Sequence, residues 1–191
     1  MTQLISSGGP AVRRVAVYCG SAEGVDPAFL FEARRLGEAI AAARLGLVYG
    51  GANVGLMGAV ADAALEHGGE VIGVLPEVLA GREIAHTGLT VLELVPTMHE
   101  RKARMHALAD AFIALPGGYG TLDELLEAVT GAQLGLHDKP CILLNTAGYW
   151  DGLLSFLDSA VAAGFLKPGN RELLRVAATA AEAVGIASGL S

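Results

Sequence analysis

Short, almost wholly apolar runs alternate with helix-length segments along this chain, and that alternation restricts its fold more than any other feature. The runs are Val15–Cys19, Gly46–Tyr49, Val71–Leu75, Ala111–Leu115 and Cys141–Leu144, and glycine or proline stops most of them. Helical segments follow at about Pro27 to Arg44, Leu56 to His67, Met98 to Asp110, Thr121 to Leu136 and Tyr149 to Ala163. Weaker strand patterns stand at Thr90 to Val95 and Arg175 to Ala177, and a last helix follows the second. A strand without polar alternation is buried on both faces, which requires a parallel sheet covered by helices on each side. The expectation is an α/β fold: a doubly wound, mostly parallel, Rossmann-like sheet in a single domain over residues 13–191, preceded by a flexible tail over 1–12. Such sheets bind ligands beyond the carboxyl ends of their strands. That places a site among Gly20-Ser21, Gly50-Gly51, Pro76-Glu77 and Pro116 to Thr121.

The chain has 191 residues, the size of one domain. Its hydrophobic content of 52% is high for a monomer of this length. The longest charge-free stretch, Leu45 to Ala61, is interrupted by Gly50, Gly51, Gly55 and Gly58, so it does not read as a membrane span. The surplus is assigned to a subunit interface. The amino terminus lacks a basic segment followed by a long apolar run, and two cysteines, Cys19 and Cys141, suit a reducing compartment; the expected location is cytoplasmic. A net charge of -7 with no basic stripe argues against a nucleic-acid polymer as partner, whereas a small anion needs only one or two cations.

Pro116-Gly117-Gly118-Tyr119-Gly120-Thr121 closes a strand and opens a helix. Glycines let backbone N–H groups approach an anion without obstruction by Cβ, and a helix N-terminus adds unpaired N–H groups with a positive dipole end. Three glycines in four residues exceed what a helix cap requires, so the loop reads as a phosphate cradle. Neither the dinucleotide pattern nor the Walker pattern is present: Asp123 stands where the former needs its third glycine, and no Gly-Lys-Ser/Thr occurs. A second glycine loop, Gly50 to Gly58, also links strand to helix, and either touches ligand or packs beside it.

Two charged residues stand out. At 100° per residue, Arg101 lies about 60° from Met98, inside the apolar arc of its helix. An arginine there snorkels, pairs with a carboxylate or serves an anion. Lys102 sits at the edge of the same arc. Glu124 fits a capping box, Thr121-x-x-Glu124, but equally places a carboxylate one turn above the anion loop. There it can bind ribose hydroxyls, orient water or stabilise a cationic sugar, the needs of glycosidic-bond cleavage. Asp123 and Glu127 read as solvated. His99-Glu100 is not followed by a second metal-binding histidine, so no metal site and no cofactor are expected. Cys19 and Cys141 read as core residues, and Ser21 as a candidate ligand contact.

Pro116-Gly117-Gly118-Tyr119-Gly120-Thr121-x-x-Glu124, with Met98-x-x-Arg101-Lys102 upstream, resembles the LONELY GUY family of cytokinin riboside 5′-monophosphate phosphoribohydrolases, long mislabelled as lysine decarboxylases. Cys19-Gly20-Ser21, Tyr49 to Gly58 and Glu83-Ile84-Ala85-His86 fit the same family, so the resemblance spans nearly the whole chain after the tail. It implies a homodimeric Rossmann-like enzyme that hydrolyses the N-glycosidic bond of N6-substituted AMP to free base and ribose 5-phosphate. Arg101 and Glu124 are then the catalytic pair. Gly117, Gly118, Tyr119, Gly120 and Thr121 grip the 5′-phosphate, while Ser21, Gly50, Gly51, Glu83, Met98 and Lys102 belong to the substrate site. Ala22, where a second serine is common, and Asp123, where glutamate is common, are departures that leave the substrate preference open. The alternative is a nucleotide-binding protein without chemistry, in which Glu124 is only a cap. Decarboxylation needs a pyridoxal lysine, and Lys102, Lys139 and Lys167 are the only lysines.

Overall fold

The computed structural model describes residues 13–80 and 85–189; the expected tail at 1–12 and Glu83 lie outside them. Seven strands, β1 (Arg14–Tyr18), β2 (Gly46–Tyr49), β3 (Val71–Pro76), β4 (Val91–Val95), β5 (Ala111–Ala114), β6 (Cys141–Leu144) and β7 (Leu174–Ala177), form one sheet in the order β4-β3-β2-β1-β5-β6-β7. Every pairing is parallel. The helices are α1 (Pro27–Ala42), α2 (Gly55–Glu66), α3 (Glu77–Ala80), α4 (Met98–Leu108), α5 (Tyr119–Gln133), α6 (Asp151–Ala162), α7 (Pro168–Arg171) and α8 (Ala180–Ser188).

Residues along each strand alternate between two cores. Val15, Val17, Leu47, Tyr49, Ile113 and Leu115 face α1, α2 and α8, against Leu36, Ile40 and Val60. Ala16, Tyr18, Val48, Val74, Phe112 and Leu143 face α4 and α5, against Met105 and Leu125. Each fully buried leucine or isoleucine contributes about 1.5–3 kcal/mol. The α1–α2 contact is close because Gly37 has no side chain; a Cβ there would run into the Val60 carbonyl. β4 departs from the pattern: it is an edge strand with Leu92 and Leu94 exposed.

Helix starts follow local chemistry. Asp26 caps α1 by accepting from Ala28 N at 2.9 Å, with Pro27 in the first turn. Thr97 caps α4 by accepting from Glu100 N at 3.1 Å, and Thr179 does the same for α8 through Glu182 N at 3.2 Å. The chain order reverses between β1 and β5, which are neighbours. Their carboxyl ends therefore open a crevice at the switch point, where ligands of doubly wound sheets bind. The expected strands and long helices are present within a few residues; the short helices α3 and α7 carry too little periodicity to be seen in the sequence.

Candidate active site

At the switch point β1 hands over to Cys19-Gly20-Ser21 and β5 to Leu115-Pro116-Gly117. The two exits are tied by Gly20 N donating to the Pro116 carbonyl at 3.0 Å and Leu115 N to the Tyr18 carbonyl at 2.9 Å. A cleft of about 240 Å³ opens there, lined by Cys19, Gly20 and Ser21, Met57 of α2, Arg101 of α4, and Gly118 to Thr121 with Glu124 of α5. Four chain segments distant in sequence thus meet in one concavity.

The glycine loop ends earlier than its sequence suggests. Gly118 is the N-cap of α5 and the helix begins at Tyr119, with Leu122 N to the Gly118 carbonyl (3.1 Å) as its first ladder bond. Thr121 is therefore the third helical residue, and no side chain caps the helix. This corrects the capping-box alternative for Glu124. Threonine caps with a glutamate three residues on lie instead at Thr97 and Thr179, each accepting from that glutamate's amide. The amides of Tyr119, Gly120 and Thr121 have no helical acceptors, as in any first turn, and they converge where the dipole is positive. Gly117 must be glycine: a Cβ would overlap the Thr121 side chain and crowd Gly20.

Arg101 and Glu124 are each only 8% exposed. Arg101 Nη1 lies 3.2 Å from Glu124 Oε1, and Nε donates to the Val74 carbonyl at 3.1 Å. A bond at each end of the guanidinium fixes its plane. Removal from water pushes the Glu124 carboxyl above its ordinary range, with Arg101 pulling the other way. Cys19 also lines the cleft, but burial drives its thiol far up, which disfavours the nucleophilic thiolate; Cys141 is likewise pushed up to about 12.

The second glycine loop supports the cleft by packing. A Cβ on Gly50 would overlap the Arg101 guanidinium, Gly51 packs on Leu75 and Leu92 with φ +78°, and Gly55 abuts Ser21 and Ala22. The loop's residue in the cleft is Met57, so both readings of the loop hold in part: its glycines pack and one side chain lines the cleft. Met98, 47% exposed, begins α4 away from the cleft lining. Lys102 points elsewhere: its ammonium sits 2.9 Å from Asp123 and 2.7 Å from Glu127, bridging α4 to α5. Asp123 and Glu127 are solvent-facing and paired as well. Tyr119 projects freely, 94% exposed. Among the described residues, no three of His, Cys, Asp and Glu are grouped to hold a metal.

A family model described as possible lysine decarboxylase matches residues 57–186. The chain is 51% identical over 174 residues to the cytokinin riboside 5′-monophosphate phosphoribohydrolase LOG3 of Arabidopsis thaliana, covering 90% of this chain and 80% of that protein. It is 53% identical over 163 residues to a probable cytokinin riboside 5′-monophosphate phosphoribohydrolase of Oryza sativa subsp. japonica, covering 84% and 71%. The chain belongs to this phosphoribohydrolase family. Among solved structures, it resembles the Moco carrier protein of Chlamydomonas reinhardtii, with a TM-score of 0.71 at 25% identity over 93% of this chain and 96% of that one. The molybdenum cofactor binding protein of Rippkaea orientalis has a TM-score of 0.70 at 24% identity, over 93% and 97%, a likeness of fold. The decarboxylase wording of the family model finds no echo in the cleft, which no lysine lines.

Proposed function

We propose that this protein hydrolyses the N-glycosidic bond of N6-substituted adenosine 5′-monophosphates, releasing free base and ribose 5-phosphate. The observation that carries the proposal is the buried Arg101–Glu124 pair in a cleft that also holds the first turn of α5. The free amides from Tyr119 to Thr121 and the helix dipole take the 5′-phosphate, and Ser21 lines the same cleft. Glu124, one turn further along α5, then meets the ribose. As the bond from C1′ to the base nitrogen breaks, positive charge builds on the sugar, and an ionised Glu124 stabilises it. Water adds its oxygen to C1′ and a proton reaches the departing base. Arg101 orients the Glu124 carboxylate and favours its ionised form against the effect of burial. The carboxylate lacks the capping role that a purely binding protein would give it.

The remaining parts of the proposal concern setting. The small-molecule substrate, rather than a nucleic-acid polymer, follows from the acidic net charge. A homodimer is supported by the exposed apolar side chains Val91, Leu92 and Leu94 of the edge strand β4. Cytoplasmic location is supported by two free, buried cysteines, and no helix among the described residues is long and apolar enough to cross a membrane. Glu83, Met98 and Lys102 enter the substrate site only through family resemblance. The test is incubation with isopentenyladenosine 5′-monophosphate and with AMP, and chromatography for free base. Appearance of isopentenyladenine or adenine supports the proposal; absence of both at high enzyme concentration refutes it.

A further inference from the structure

A second concavity of about 340 Å³ continues the catalytic cleft past Gly20, Ser21 and Gly118, and Tyr149 forms part of its wall with Phe29. Tyr149 follows β6, on a turn where Ala147 and Gly148 both have positive φ, at 52° and 71°. Asn145 clamps that turn: its Oδ1 accepts from Trp150 N at 2.7 Å and its Nδ2 donates to Asp151 Oδ1 at 2.7 Å. The Tyr149 ring stands edge-on to Phe29 (5.6 Å between centroids) and to Trp150 (4.8 Å). So held, its hydroxyl donates to the Gly117 carbonyl at 2.6 Å. Among the described residues this is the only side-chain hydrogen bond to the loop from Pro116 to Thr121.

The bonded atom matters because of its place in the helix ladder. The Gly117 carbonyl is the acceptor four residues before Thr121 N, so a rotation of one peptide would let it take the Thr121 amide and extend α5 by a residue. That amide would then be lost to an anion. In the structure the ladder begins one step later, at Leu122 N to the Gly118 carbonyl, while Tyr149 occupies the Gly117 oxygen. We propose that Tyr149 is a positioning residue that holds the Gly117 carbonyl out of the α5 ladder and keeps the Thr121 amide free for the substrate phosphate. The third strand end around the cleft, that of β6, thereby enters the phosphate site without touching ligand. The proposal rests on the phosphoribohydrolase reading for its substrate, but its geometry requires only that the loop binds a phosphate.

The test is Tyr149→Phe, which keeps the ring between Phe29 and Trp150 and removes only the hydroxyl. Binding of ribose 5-phosphate is measured by calorimetry, beside KM and kcat for the nucleoside monophosphate and the melting temperature. Expected is a 3- to 10-fold weaker affinity for ribose 5-phosphate, about the effect of one ordinary hydrogen bond. KM should rise by a similar factor, with kcat changed less than twofold. Unchanged ribose 5-phosphate affinity overturns the proposal, as does a loss confined to kcat, or a variant that melts far below wild type. Wild-type protein that binds ribose 5-phosphate but releases no base sinks the hydrolase reading alone; weaker binding by the variant would still support the role of Tyr149.

Discussion

Replacing Glu124 by glutamine separates catalysis from stability in a way that few substitutions allow. The new side chain keeps shape and volume, and its carbonyl can accept from Arg101 Nη1, now 3.2 Å from Glu124 Oε1. What disappears is the negative charge. A carboxylate about 4 Å from a unit positive charge, at an effective dielectric of about 20, contributes about 4 kcal/mol. Loss of that from the transition state alone slows kcat about a thousandfold, at roughly 1.4 kcal/mol per tenfold. Stability should behave oppositely. Burial holds the Glu124 carboxyl above its ordinary range even with Arg101 beside it, so the folded protein disfavours the ionised form. With the folded pKa raised, wild-type stability from this group is fully present below the ordinary carboxylate value near 4.5 and is lost as pH rises through the folded pKa. At neutral pH the variant is therefore expected to melt no lower than wild type. The assays are steady-state release of free base and thermal melting across pH 4 to 8. A variant with wild-type kcat refutes the catalytic role. A drop of more than about 2 kcal/mol in stability at neutral pH refutes the claim that desolvation outweighs the ion pair.

Other perturbations test other joints of the site. In wild type, kcat/KM should fall on the acid side with a midpoint above the usual carboxylate range, because the free enzyme needs Glu124 ionised. Arg101→Met should move that midpoint further up, since the nearest counter-charge is gone; a midpoint left in place would show that Arg101 does not govern the carboxylate. Gly117→Ala should weaken ribose 5-phosphate binding about tenfold or more and lower stability by about 1–3 kcal/mol, because the added Cβ overlaps Thr121; calorimetry and melting measure both. His106 and His137 pack at tilted angles against Phe112 on the α4–α5 side of the sheet, and burial lowers both below the usual histidine value. Folding stability from these neutral rings is present above about pH 6.5 and is lost as pH falls through the lowered folded values. Denaturant unfolding from pH 7.5 to 5 should show that loss, and His106→Gln should flatten it.

Much of the fold is legible in the sequence because parallel strands buried on both faces cannot hide. Val15–Tyr18 or Ile113–Leu115 have nowhere polar to point, so their composition alone declares a covered sheet. The loop from Pro116 to Thr121 is equally plain in its run of glycines, of which Gly117 answers a close approach to Thr121. Arg101 also betrays itself: a charge within a helix's apolar arc needs a partner wherever the helix packs.

Sequence by itself determined the class of the fold and the loops that follow its strands, and it singled out Arg101 and Glu124 as charged residues in need of partners. Tertiary structure alone decided which of those residues meet. The register of α5 turned Glu124 from a candidate cap into a buried partner of Arg101, because a one-turn pattern of Thr and Glu reads the same whether the helix starts at Gly118 or at Thr121. Spatial neighbours also drew Lys102 away to Asp123 and Glu127, a choice between two sides of one helix that periodicity leaves open. That Met57 is the residue its loop sends into the cleft, and that Tyr149 reaches the phosphate loop, were not legible for the same reason. Their places depend on contacts across tens of residues, and no local rule of spacing encodes a bond between the end of β6 and the loop after β5.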